Sequence, residues 1–140
     1  ALEHAGQGLI CFQPGQGSVL EDALMQGLLD AAKASGRAGQ AQVVLETLRA
    51  RSPRNWYYGA ALGWLLEQSG RPELALGELE RILSEARVLR LWVSAAYGRA
   101  LARTGRREEA EGVLSELEAF WPSEGRSEAE ELRRLLNSAR

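Results

Sequence analysis

Cysteine, histidine and lysine each occur once in the 140 residues, as Cys11, His4 and Lys33. One thiol can form no internal disulfide and no cysteine zinc site. One imidazole excludes paired-histidine metal motifs and argues against a catalytic triad, so neither a metal nor a cofactor is expected. Excess charge of either sign is also missing. The chain has 17 basic and 19 acidic residues, a net charge of -2, which gives no global field for nucleic acid or for an anionic membrane. No apolar run reaches the roughly 18 residues that a bilayer span requires. No basic segment followed by an apolar stretch marks a signal peptide. The expectation is no nucleic-acid partner, no membrane, and a cytoplasmic compartment, with the bacterial periplasm left open because a single thiol does not decide. The near-absence of lysine beside abundant arginine points to a GC-rich, bacterial source rather than to a mechanism.

What is present is ordinary globular composition, 45% apolar and 26% charged. A chain of this length suits one domain and can bury roughly two thirds of the surface it exposes unfolded. Its organisation lies in an internal period. S-G-R-A-G-Q-A at Ser35–Ala41, S-G-R-P-E-L-A at Ser69–Ala75 and T-G-R-R-E-E-A at Thr104–Ala110 place glycines 34 and 35 residues apart. Each motif is followed by apolar residues at helical spacing: Leu45 and Leu48, then Leu79, Ile82 and Leu83, then Leu114 and Leu117. Apolar sets also precede the second and third, Leu62, Leu65 and Leu66, then Tyr97 and Leu101. The reading is a helix, a glycine turn and a second helix, repeated. Gly36, Gly70 and Gly105 end helices, Pro72 opens one, and Pro53 and Pro122 stop two others.

These residues resemble the tetratricopeptide repeat family, a helix-turn-helix repeat of about 34 residues with small residues at positions 8 and 20 and a proline near position 32. Repeats fall at 22–55, 56–89 and 91–124. Gly63 and Gly98 match position 8; Ala41, Ala75 and Ala110 match position 20; Pro53 and Pro122 match position 32. Repeat one departs with Leu29 at position 8, repeat two carries Arg87 in place of the proline, and the usual alanine at position 27 is replaced by Leu48, Ile82 and Leu117. Leu79 to Arg103 contains no turn residue at the junction, so periodicity alone allows one long helix there, and only the repeat places a break near 87–89. The resemblance implies an all-α fold, a right-handed α-α superhelix of about three helix pairs plus a C-terminal capping helix. The repeat domain is expected over 18–140, behind a flexible or packed lead-in at 1–17 that contains the apolar island L-I-C-F. S-V-L-E at Ser18–Glu21 reads as the cap of the first helix, and S-E-A-E at Ser127–Glu130 as the cap of a helix over 127–138.

Catalytic chemistry finds no foothold. Glu108–Glu111 and Glu128–Glu131 fall in first turns of helices, where the dipole favours acidic side chains on a solvated face. Gly6 with Gly8 and Gly15 with Gly17 lack the lysine-serine end of a phosphate loop, and Cys11 has no basic neighbour in sequence to activate it. The arginines of the three turns, Arg37, Arg71 and Arg106, read as exposed turn residues without a role.

In the family the resemblance names, the first helix of each repeat lines a concave groove through positions 2, 5, 9 and 12. Carried onto this chain, the groove set is Gln26 and Asp30 with Lys33; Tyr57, Trp64 and Glu67; Trp92, Arg99 and the adjacent Arg103; and Arg133 of the capping helix. Tryptophan, tyrosine and arginine are frequent binding hot spots. Tryptophan at helical spacing is more often core than ligand site, and Trp56 and Trp121, at repeat boundaries, read as structural. The set lacks the lysine and asparagine clamp of chaperone-binding members. The implied function is a non-catalytic scaffold or adaptor that binds a peptide or helix of a protein partner. The alternative is a structural spacer or a self-association domain, a homo-oligomer formed through the N-terminal segment.

Overall fold

A computed structural model of the chain describes residues 27, 29–31, 33–85 and 90–138. The lead-in, the first cap, L-I-C-F, Gln26 and the segment 86–89 fall outside them. Helical turns at 27, 29–31 and 33–34 come first. Six helices follow: α1 (Ala38–Arg51), α2 (Trp56–Gln68), α3 (Pro72–Glu85), α4 (Leu91–Arg103), α5 (Arg107–Phe120) and α6 (Arg126–Ser138). No strand occurs among the described residues.

The glycine turns close in one way. Gly36, Gly70 and Gly105 have φ of 72°, 79° and 81°, left-handed values that a Cβ penalises. After α2, the Gly70 N–H donates to the Glu67 carbonyl at 3.2 Å and the Arg71 N–H to the Leu66 carbonyl at 2.9 Å. After α4, Gly105 and Arg106 repeat the pattern on Ala102 and Leu101. Both are double-bonded C-terminal caps that satisfy carbonyls the helix leaves open. Pro72 is the first residue of α3, and α1 and α5 stop two residues before Pro53 and Pro122. At the N-terminus of α2 the Asn55 side chain accepts the Tyr57 N–H at 3.1 Å.

Two boundaries refine the sequence reading. Arg90 is extended (φ -131°, ψ 131°), so α3 and α4 are separate helices and no single helix runs from Leu79 to Arg103. Helix α6 begins at Arg126, because the Ala129 N–H donates to the Gly125 carbonyl; Ser127 therefore lies inside the first turn instead of capping it. Gly125 is buried, and a Cβ there would stand 2.9 Å from both the carbonyl oxygen and the Cβ of Trp121.

Neighbouring helices pack in sequence order, α2 against α1 and α3, α4 against α3 and α5, and α6 against α5, while α4 also touches α2 and α6. Each element gives a leucine to the core: Leu29, Leu45, Leu62, Leu79, Leu101, Leu117 and Leu132 are all buried. Burying such a side chain stabilises the fold by about 1.5–3 kcal/mol. Helices α2 and α3 approach closely because position 63 has no side chain: a Cβ there would lie 2.6 Å from Leu79 Cγ. Burial divides the helices into two kinds. α2 has 11 of 13 residues buried and α4 nine of 13, whereas α1 and α5 bury three of 14 each. The first two are inner helices, and the others show one apolar stripe to them.

The last helix is tied down at both ends. Gly125 seats its start, and Arg107, in the first turn of α5, donates to the Leu136 carbonyl at 2.6 Å near its C-terminus. Ala129, Leu132 and Leu136 face inward, while Arg133 and Arg134 are exposed.

Candidate functional site

The side chains that the sequence places in one row separate by burial. On α2, eleven successive residues from Tyr57 to Glu67 are buried, three full turns, so no face of this helix is open. Tyr57 and Trp64 therefore belong to the core, Trp64 with 7% of its surface exposed. Glu67 is 0% exposed and Arg99, on α4, 5%. Asp30, Lys33 and Arg133 are exposed, Trp92 is half-buried and the Arg103 side chain is 37% exposed.

The polar members near the C-terminal ends of the inner helices join into one array. Arg99 Nε donates to Glu67 Oε1 at 2.7 Å, and Arg103 Nη1 pairs with Glu67 Oε2. Gln68 Nε2 donates to Glu67 Oε1 at 2.8 Å, while its own Oε1 accepts Lys33 Nζ at 3.0 Å. The array thus spans the leading helical segment, α2 and α4. It carries one carboxylate against two guanidiniums and an ammonium. The buried carboxylate is fully engaged, which is what a charge removed from water requires. The surplus positive charge reaches solvent at Lys33 and Arg103.

At the other end of the same helices the groups are aromatic. The Tyr57 ring meets Trp56 at 5.3 Å and Trp92 at 5.7 Å, the second edge to face, and the Arg90 guanidinium lies 5.8 Å from the Trp56 ring centre. These rings pin the start of α2 to the start of α4. Trp92 Nε1 is buried without a hydrogen-bond acceptor. An indole N–H in that position normally finds one.

Arg133 stands apart from the array. It pairs with Glu118 at 3.0 Å across a cleft of about 340 Å³ between the end of α5 and the start of α6. Trp121, Pro122, Gly125 and Ala129 line this cleft. Sequence reasoning missed both the cleft and the Gln68 relay; W-P-x-x-G at Trp121–Gly125 was its signal, a turn too tight to be filled from within. Among the described residues no group of three or more potential metal ligands occurs, and no helix is long and apolar enough to cross a membrane.

No protein-family model matches the chain, and comparison with curated proteins and with solved structures returned no match.

Proposed function

We propose that the chain is a non-catalytic interaction module, a right-handed superhelix of tetratricopeptide-like helix pairs, and that it holds an acidic peptide of a partner protein where Lys33 and Arg103 reach the surface. The all-helical architecture, the 34- and 35-residue period and the small residues at the helix crossings support the scaffold. The observation that carries the binding role is the charge of the Glu67 array, one carboxylate against two guanidiniums and an ammonium, with Lys33 and Arg103 at the surface. An acidic side chain of the partner pairs with that surplus. Tyr57, Trp64, Glu67 and Arg99 take a different part: they are buried and hold the array rigid, which lowers the ordering cost of binding.

Selection from a displayed peptide library on the purified chain tests this. Enriched peptides carry an acidic residue, and both Lys33→Ala and Arg103→Ala weaken them severalfold with helicity unchanged. No enrichment, or binding indifferent to both substitutions, removes the proposal.

A further inference from the structure

The cleft at the end of the repeat array sits beside an exposed phenylalanine. Phe120 ends α5 with 55% of its surface in solvent, among the most exposed large apolar residues described. Its ring lies 6.0 Å from that of Trp121, edge to face, and Trp121 forms part of the cleft wall. The cleft exists because the chain must reverse at once: Pro122 cannot continue α5, and Gly125 turns back so tightly on Trp121 that no side chain can enter. Its volume of about 340 Å³ is at the small end of binding pockets and suits one large side chain. Knob and hole are thus neighbours on one surface, and no described residue of the chain fills either.

We propose that this cleft receives Phe120 of a second copy of the same chain, in a two-fold dimer. A two-fold axis placed between knob and hole makes the contact twice, each Phe120 entering the other copy's cleft, with no further surface required to close the assembly. Charge agrees with a copy of itself as occupant. The rim holds Glu118 paired with Arg133, and Arg126 near Glu130, two of each sign, so like faces do not repel. A strongly charged partner would find nothing complementary there. The dimer is a weak one, because one ring per side gives a small contact. It also leaves Lys33 and Arg103 unaffected, so it stands or falls separately from peptide binding.

Sedimentation velocity and light scattering on the full chain, from micromolar to millimolar concentration, test the inference. The expected result is a monomer–dimer equilibrium that stops at two. Phe120→Asp, at an exposed position that leaves helicity intact, weakens it by roughly 30-fold or more, as expected of an interface anchor. Phe120→Leu retains most of it. A mixture of the Phe120→Asp chain with the unaltered chain gives heterodimers of intermediate strength, since one of two contacts survives, and Arg103→Ala dimerises normally. A monomer at every concentration overturns the inference, as does a dimer insensitive to Phe120→Asp or growth into open polymers.

Discussion

Two arginine–glutamate clusters fasten α2 and α3 to the helices that follow them, and they differ mainly in their exposure to water. In the first, Glu67 lies at 0% exposure between Arg99 and Arg103. In the second, Arg106 bridges Glu80 on α3 and Glu109 on α5, with all three side chains at least 37% exposed. The chemistry is the same, a carboxylate and a guanidinium at hydrogen-bond distance. The energetics are not. A solvated pair exchanges protein partners for water at little net gain, commonly under about 1 kcal/mol. A sealed charge has no water to fall back on, so its partners decide whether the helices can close at all. The first cluster therefore fixes the register of the inner helices α2 and α4, and the second adds little beyond the turn it decorates.

The largest effect expected is at Glu67. Glu67→Ala leaves Arg99 buried without its carboxylate and lowers stability by about 3–5 kcal/mol. For a domain of this size that corresponds to a fall in Tm of roughly 10–20 °C by calorimetry. Replacing Glu67 and Arg99 together by leucine sharpens the point, because no charge is then stranded at the α2–α4 contact. The double variant is expected to lose less than the sum of the two single losses, with a coupling of about 1–3 kcal/mol. Strict additivity would show that the buried pair is not a pair in energetic terms.

The contrast between the clusters was only half visible in the sequence. Glycines 34 and 35 residues apart, Pro72 at a helix start and alanines at the crossings name backbone and steric constraints, which act locally and repeat; the turns and helices were legible for that reason. The row of Glu67, Arg99 and Arg103 comes from the family resemblance, which implies a groove along the first helix of each repeat. Its burial could not be read from the sequence, because the closure of all faces of α2 depends on how tightly α1, α3 and α4 assemble around Gly59 and Gly63. The sequence reading puts Glu67 in a solvent-facing groove and gives Glu80 no role. It also reads Arg106 as an idle turn residue, although the α3–α5 approach gives it two carboxylates. Only three-dimensional packing separates a rim from a core.

Arg106→Ala is the next test, and a small one. Removing the guanidinium frees Glu80 and Glu109 into water they already touch, so the expected loss is under about 1 kcal/mol in urea denaturation. Raising salt from about 0.05 to 1 M should erase most of that loss, since exposed pairs are screened at such ionic strength. The Glu67→Ala defect should persist in the same salt series. A large, salt-resistant loss at Arg106 would reverse the ranking of the two clusters.

The smallest effect is in pH, and its sign follows from the exposed cluster. The hydrogen bond from Arg106 holds the Glu109 carboxyl below the usual carboxylate range. A carboxyl lowered in the folded state contributes stability above its unfolded pKa, and that contribution is lost as pH falls through the folded value. At the alkaline end the order inverts. Burial, then the charges of Glu80 and Glu109, push the Tyr97 phenol above its usual value near 10. Its contribution is complete below the unfolded pKa and is lost as pH rises toward the folded one. Urea midpoints measured across pH should therefore decline gently at both extremes. Glu109→Gln should flatten the acid side alone and Tyr97→Phe the alkaline side alone. Because Glu109 sits in water, its arm should also shrink in high salt, while the Tyr97 arm, set first by burial, should keep most of its slope.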